Sequence, residues 1–440
     1  MSVFRSSPFA FAKALFDRHR TLASNAAGLY LETLTSYLFP LITLPYLVRI
    51  LGPHQYGTLA FAQSLVGSLG VIVDYAGNLT ATRKVTELRA NPEELAAVTG
   101  QVTLARVFLC LPALSLLGIL AWFAPPVREA LPLLILLAGV FLAQATSPAF
   151  LFLGLERMLE LARLNFFINC AVVMAIFTLV RSPKDLLVLG GILSAGPLAG
   201  SYLGHLWLRQ RWGLRPTWPS WRAVRGFLRE GFPLFLSTAA MAAYTTANPF
   251  LLGLFAKKEA VAFYAGAEKI VRALLRLIAP LTTAFFPRMV EAAQGGTREL
   301  YRRAWKVLAA FCVMGASVGL FVAATAPWIV RLFLGAQFAP SVVPLRLLSV
   351  IFLLVAASNV LGFHLLLPLR RDALFTAIVV AASLANLTLA AVLAPGFGER
   401  GMAIAVVVTE LMVTVAMLVA VEKLRPVAER EAWREVNRSS

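Results

Sequence analysis

The stretch PYLVRILGPHQYG, residues 45 to 57, joins two long apolar segments near the start of the chain. Each segment is long enough to cross a bilayer, which takes about 20 apolar residues in a helix. The whole chain is 59% apolar and only 14% charged, with a mean hydropathy of +0.77, whereas soluble domains carry roughly 25% charged residues. This composition predicts a protein that resides in a membrane.

Apolar windows of spanning length recur along the entire sequence. They begin at residues 26, 57, 100, 130, 160, 186, 231, 261, 305, 342, 373 and 401. The alternating pattern of barrel strands does not recur, so the backbone must satisfy its hydrogen bonds as helices. We therefore predict an all-α polytopic membrane protein with twelve transmembrane helices.

Charge placement predicts the orientation. Most of the 40 lysines and arginines fall on alternate loops, and short loops rich in these residues lie in the cytoplasm. Both termini are predicted to be cytoplasmic. The net charge of +18 is then a topology signal and an attraction to anionic lipids, because basic residues spread along one membrane face do not match a nucleic-acid site.

The longest predicted cytoplasmic connection divides the chain into two similar parts. A faint repeat with a spacing near 205 residues aligns Arg83 with Arg288, which is typical of transporters built from two related bundles. We predict two pseudo-symmetric six-helix lobes around a central cleft. The predicted units are a basic amphipathic segment (1–25), an N-terminal lobe (26–208), a linker (209–230), a C-terminal lobe (231–421) and a basic tail (422–440).

Four stretches in the order of the chain carry a family resemblance. They are the opening stretch, DYAGNLTATRKV from Asp74, LGLERM at Leu153–Met158 and FFPRMVEAA from Phe285. Together they resemble Wzx-type polysaccharide flippases, in the polysaccharide transporter branch of the multidrug, oligosaccharidyl-lipid and polysaccharide exporter superfamily. The resemblance implies a carrier of the bacterial inner membrane that moves undecaprenyl-diphosphate-linked oligosaccharides, such as O-antigen units, from the inner to the outer leaflet.

Three cations fall within the eighth predicted helix. Lys269, Arg272 and Arg276 are spaced i, i+3 and i+7, which places them on one face. Each would cost about 2.5–3.5 kcal/mol at the bilayer centre, so we expect them to face the cleft. There they would bind the diphosphate of the cargo, because one guanidinium group can bind two phosphate oxygens at once. The alternative is that these cations only pair with buried acids.

Acidic residues in the first two helices suggest a second site. We predict that Asp74, with Glu32 and Asn78, holds a coupling proton or sodium ion, because a buried carboxylate gains affinity for protons and cations. The alternative is a structural ion pair between Asp74 and Arg106. Arg83 and Arg288, at inner helix ends, are weaker candidates for the place where the diphosphate enters, and positive-inside anchoring explains them equally well.

Two other functional classes compete with the flippase. A cation-coupled drug antiporter of the same superfamily would need acids in the cleft, and a membrane enzyme would need a catalytic group over the outer surface, where the predicted loops are short. We predict a transporter without cofactor or metal, because Cys110, Cys170 and Cys312 lie in separate helices without ligand spacing. Its expected partners are the lipid-linked oligosaccharide, membrane lipids, a coupling ion and glycan-assembly proteins.

Overall fold

The architecture comes from a computed structural model. It describes the backbone of residues 8–439 except 76 and 295, and the side chains of residues 27–424 except 37, 76, 79, 277–284, 286, 287, 293, 295 and 297. The described residues form helices and contain no strand. The all-α prediction is thereby confirmed.

Sixteen α-helices follow one another in the described part of the chain. Their bounds are α1 Pro8–Asp74, α2 Gly77–Leu88, α3 Pro92–Phe123, α4 Pro125–Glu129, α5 Leu131–Leu137, α6 Gly139–Ala145, α7 Ala149–Gly154, α8 Met158–Leu179, α9 Leu186–Trp212, α10 Trp221–Thr245, α11 Asn248–Phe255, α12 Lys258–Gln294, α13 Thr297–Phe333, α14 Val342–Leu348, α15 Ile351–Leu361 and α16 Asp372–Ser439. Short 3₁₀ turns at Pro183–Asp185 and Ala336–Ser341 and a π-turn at Gly362–Leu366 complete the order.

Eight helical stretches of the described residues are long and apolar enough to cross a membrane. Two of them, Ala27–Asp74 and Asp372–Leu424, are 48 and 53 residues long, about twice what one crossing needs. Each contains a glycine with positive φ at a kink where two helices meet: Gly52 has φ 68° and Gly398 has φ 53°. Glycine adopts this conformation without the steric penalty of a Cβ.

The connection between the two halves is shorter than the sequence predicts. Helix α9 ends at Trp212, with Gly213 in the left-handed conformation, and α10 begins after the N-cap Ser220. The flanks of the predicted linker 209–230 are therefore helical, and only residues 213–220 connect the helices. Thr217 donates a backbone hydrogen bond to the carbonyl of Ala96 at 3.2 Å, so the connection lies against α3. The side chains of the predicted segment 1–25 and of most of the tail 422–440 lie outside the described residues.

Buried apolar side chains form three clusters. One contains residues of both halves, including Leu44 and Phe61 before the connection and Val261 and Phe338 after it. The second lies among residues after the connection and the third mainly among residues before it. Each half therefore has a core of its own, and a shared core joins the two.

The opening stretch lies at the junction of the two halves. Tyr56 is fully buried and packs edge-on against Phe338, with 5.8 Å between ring centroids. His54 contacts the carboxylate of Glu259 at 2.8 Å. Gly57 lies so close to Lys258 that an added Cβ would overlap the Lys258 carbonyl oxygen. We call these contacts of His54, Tyr56 and Gly57 with the C-terminal half the motif contact.

A Gly57→Ala variant tests the close approach of the two halves. The added methyl group forces Lys258 away, and we expect the free energy of unfolding to fall by about 1–3 kcal/mol, as for other overpacked sites. The measurement is thermal unfolding in detergent, followed by tryptophan fluorescence. Gly118→Ala is the matched control, because nothing lies within 4 Å of a Cβ at that position. Equal midpoints for the two variants would contradict the packing described here.

Candidate functional site

A cavity of about 1010 Å³ lies in the C-terminal half. Its walls come from α10, α11, α12, α14, α15, the π-turn and α16, and all lining residues fall between Tyr244 and Glu410. Apolar side chains such as Val271, Ile351 and Val406 cover part of the wall. Uncharged polar or titratable groups also face the cavity: Tyr244, Thr245, Asn248, Tyr264, Ser358, Asn359 and His364.

Helix α12 presents two arginines and one acid to this cavity. Glu268, Arg272 and Arg276 are four residues apart and so follow one face of the helix. Arg272 Nη2 donates to Glu268 Oε1 at 2.7 Å, and the Tyr264 hydroxyl donates to the same oxygen at 3.0 Å. An acid one turn before a basic residue is the favourable order on a helix, so this ion pair is built into the local sequence.

A second carboxylate reaches the cavity from α16. Glu410 lines the same wall and interacts electrostatically with Arg272. The cavity thus holds two arginines and two glutamates, so its formal charge is balanced. Glu268 pairs with Arg272, which lies one full turn further along α12.

Lys269 does not line this cavity. Its ammonium group lies 3.4 Å from Gln63 Oε1 and 5.3 Å from the centroid of the Tyr56 ring, and both partners belong to α1. The expectation that all three cations share one cleft between the halves is therefore wrong in its geometry. Arg272 and Arg276 face a cavity of the C-terminal half, whereas Lys269 faces the N-terminal half.

The predicted ion-coupling residues Asp74 and Asn78 surround a buried arginine. Arg106 has no exposed side-chain surface, and its Nη2 donates to Asp74 Oδ1 at 2.8 Å and to Asn78 Oδ1 at 3.1 Å. Asp74 ends α1, where the helix dipole disfavours a negative charge, and the guanidinium compensates it. Gly77 leaves the required space, since a Cβ there would lie 2.8 Å from Arg106 Nε. The structure thus contains the ion pair that sequence analysis weighed against coupling.

The other predicted site residues lie apart from this cluster. Glu32 accepts hydrogen bonds from Asn165 Nδ2, at 3.0 and 3.1 Å to its two oxygens. Arg83 forms an exposed pair with Glu87 at 3.2 Å, and Arg288 is exposed. Nothing in the positions of Glu32, Arg83 and Arg288 assigns a role to these three residues, and their predicted roles stay predictions.

Several residues that line the cavity were not predicted from the sequence as site residues. Tyr264, Glu268 and Arg272 are spaced four residues apart in the sequence. This spacing indicates side chains that can form hydrogen bonds along one face of a helix. Glu410 lies 138 positions beyond Arg272 in the chain, and no local pattern joins them. Within the described part of the chain, no group of three or more His, Cys, Asp or Glu residues could hold a metal ion.

Comparison with protein families gives a match over residues 22–293, to the family described as polysaccharide biosynthesis protein. The match covers more than half of the chain. The chain belongs to the polysaccharide biosynthesis protein family. The resemblance to polysaccharide flippases is thereby confirmed.

Two relatives of this family member carry names that describe transport. A protein of Escherichia coli (strain K12), named as a candidate O-antigen transporter, is 28% identical over 388 residues, which cover 88% of this chain and 93% of the relative. A protein of Shigella dysenteriae with the same name is 25% identical over 403 residues, covering 91% of this chain and all of the relative. These names denote transporters rather than enzymes, as sequence analysis predicts.

Solved structures with the same fold include a flippase and a transporter. The lipid II flippase MurJ in an inward closed conformation has a TM-score of 0.70 and 13% identity, covering 90% of this chain and 87% of that chain. The eukaryotic MATE transporter AtDTX14 has a TM-score of 0.58 and 16% identity, covering 94% and 99%. The chain therefore has the fold of these transporters.

A double-mutant cycle tests the buried pair of Asp74 and Arg106. Arg106→Gln leaves the Asp74 charge uncompensated, and Asp74→Asn does the same for Arg106. We expect each single variant to lose about 3–5 kcal/mol of unfolding free energy, and the double variant to lose clearly less than the sum. The measurement is chemical unfolding in detergent.

The exposed pair of Arg83 and Glu87 is the matched control for this cycle. Its coupling energy should not exceed about 1 kcal/mol. Strict additivity of the Asp74 and Arg106 variants would mean that the two side chains do not form the ion pair.

Proposed function

We propose that this protein is a flippase that moves undecaprenyl-diphosphate-linked oligosaccharide repeat units from the inner to the outer leaflet of the bacterial inner membrane. It would work by alternating access, as a secondary carrier. The family membership and the transporter names of the relatives support a role in glycan export. The observation that carries the assignment of the cargo is the pair Arg272 and Arg276 on the wall of a large cavity.

The chemistry of the cavity fits a lipid diphosphate. Arg272 and Arg276 are one turn apart on α12, so two guanidinium groups can bind neighbouring phosphate oxygens. The volume of about 1010 Å³ is at the upper end of small-molecule sites, which span roughly 300–1,000 Å³. It accommodates the diphosphate and the first sugars, so we assign the remaining sugars to aqueous space outside the cavity and the prenyl tail to the lipid.

The acids of the cavity explain how binding could be reversible. Glu268 holds Arg272 at 2.7 Å, and an arriving diphosphate would compete with that carboxylate for the guanidinium. A cavity of unbalanced positive charge would retain the anion, whereas one with internal counter-charges returns to a paired state after release. In this proposal, Glu268 and Glu410 balance the charge of the arginines when the carrier holds no cargo.

Twelve crossings in two six-helix lobes are part of this proposal. The helix breaks at Gly52 and Gly398 support two crossings for each of the two longest apolar stretches. Residues 221–255 and α12 supply the remaining two crossings. Helix α12 is less hydrophobic than the eight apolar stretches because it carries the charges of the cavity. The distribution of lysine and arginine supports a cytoplasmic location for both termini.

The proposed carrier is coupled to an ion. Asp74, with Asn78 and Glu32, is our candidate for a proton or sodium site. The contact with Arg106 at 2.8 Å gives this candidate a definite mechanism: a cation or proton that binds Asp74 must first weaken the pair. Arg83 and Arg288, both exposed, would meet the diphosphate as it arrives from the cytoplasmic leaflet.

A cation-coupled drug antiporter is the second candidate function. Glu268 and Glu410 favour it, because acids in a cavity bind cationic substrates. The same cavity contains Arg272 and Arg276, which balance those acids and would repel a cation. Transport of an anionic cargo accounts for all four residues.

Replacement of both cavity arginines tests the flippase proposal. Arg272→Gln combined with Arg276→Gln removes the phosphate ligands, and we expect surface glycan to fall by at least about tenfold, the effect of losing 1.4 kcal/mol or more. The assay measures surface glycan in a strain that lacks the chromosomal gene, at matched protein levels. Arg302→Gln combined with Arg303→Gln is the control, because it removes two arginines that pair with Glu299 outside the cavity. Normal export by the cavity variant would remove these arginines from the binding site.

Asp74→Asn tests the coupling site. Loss of the carboxylate should make transport in proteoliposomes independent of an imposed proton or sodium gradient. Glu32→Gln, measured in parallel, decides whether the second acid participates. If Asp74→Asn keeps the gradient dependence of the wild type, Asp74 serves only its pair with Arg106.

A further inference from the structure

The motif contact is a set of separable contacts between the halves. His54 and Glu259 form an exposed ion pair, with 63% and 42% of their side-chain surfaces accessible. Gly57 and Lys258 approach through the backbone, and Tyr56 lies against Phe338. An exposed ion pair contributes little energy, so the pair of His54 and Glu259 does not lock the halves together at this end.

One buried group makes the motif contact less favourable. The hydroxyl of Tyr56 is buried and has no hydrogen-bond partner among the described side chains. An unsatisfied buried hydroxyl destabilises the state that contains it. The contact is therefore closed in this structure without being strongly locked.

Lys269 joins the motif contact to the helix that carries the cavity arginines. Its ammonium group lies over the Tyr56 ring at 5.3 Å and 3.4 Å from Gln63 Oε1. Arg272 follows three residues later on α12 and faces the cavity. The same helix thus contacts the N-terminal half through Lys269 and lines the cavity with Arg272.

We propose that Lys269 is a tether between the halves that couples occupancy of the Arg272 and Arg276 cavity to opening of the motif contact. The proposal rests on the flippase function: Lys269 contacts α1 in the unloaded state and exchanges these contacts for the diphosphate when the cavity is occupied. An anionic headgroup in the cavity draws the ammonium group away from Tyr56 and Gln63. The halves then separate at the end where the motif contact lies.

The strength of the competing contacts supports this sequence of events. The hydrogen bond to Gln63 is near the long limit for such bonds, and its acceptor is neutral. A phosphate oxygen offers a shorter bond in which both partners are charged. Lysine is suited to the exchange because its charge sits on a flexible four-carbon chain, whereas Arg272 is held by Glu268.

The experiment measures the separation of the two halves. Spin labels on Trp122→Cys and Trp328→Cys, one in each half, report the distance between α3 and α13 near the predicted outer face. Both side chains are exposed, at 76% and 78%, and neither belongs to the motif contact. Cys110, Cys170 and Cys312 are replaced by serine, and the full chain is studied in lipid nanodiscs by pulsed electron paramagnetic resonance.

Lys269→Met removes the charge and keeps the length of the side chain. Without ligand, we expect the ratio of short to long distances to fall about fivefold relative to the wild type, which corresponds to about 1 kcal/mol. Lys269→Arg should keep most of the short distance, because it retains the cation over the ring. Lys423→Met, at an exposed lysine of α16, is the matched control and should match the wild type. A wild-type distribution for Lys269→Met would overturn the tether.

Farnesyl diphosphate tests the coupling, with farnesol as the uncharged control. We expect the diphosphate to increase the long distance in the wild type and to add nothing in Lys269→Met. An equal increase in both proteins would overturn the coupling role and leave the diphosphate site standing. If calorimetry finds no binding of farnesyl diphosphate to the wild type, the headgroup site of the proposed function fails, and the coupling falls with it.

Discussion

A charge buried in an apolar protein must have a partner, and this constraint organises the whole structure. Arg106 has no exposed surface, and Asp74 and Asn78 are brought against it by the break that ends α1. Gly77 is small because the guanidinium occupies the space of a side chain. Breaking such a pair costs about 3–5 kcal/mol, a large part of the stability of a folded protein. The pair therefore stabilises the contact between Asp74, at the end of α1, and Arg106 of α3.

Close backbone contact provides the second constraint, because apolar side chains gain little from burial when lipid is the alternative. Packing between membrane helices depends on small residues that let backbones approach. Gly57 against Lys258 and Gly253 against Phe61 are such places, and both join the two halves. The shared apolar cluster lies around them. A junction built from shape instead of strong polar bonds can separate and reform, as the proposed alternating access requires.

The cavity contains buried charges that need partners, and it is also the proposed binding site of the cargo. Its arginines and glutamates balance each other, so the empty site carries no uncompensated charge. The two arginines remain accessible at the wall, where phosphate oxygens can replace the carboxylate of Glu268. The same balance separates this site from one designed for a cation, in which the acids would stand without basic neighbours. The assignment of an anionic lipid cargo rests on that arrangement.

The sequence by itself determined the helical class, the membrane environment, the family and the cations of α12, because hydropathy, charge and helical spacing are local properties. It also contained both candidate partners of Arg272, but it could not say that Glu268 and Glu410 meet there, since the second is contributed by a distant helix. Only the tertiary structure decided that Lys269 turns toward Tyr56 while Arg272 and Arg276 face the cavity. Residues that share a broad face of one helix are separated when different neighbours pack on its two sides, and that packing is set by contacts far apart in the chain.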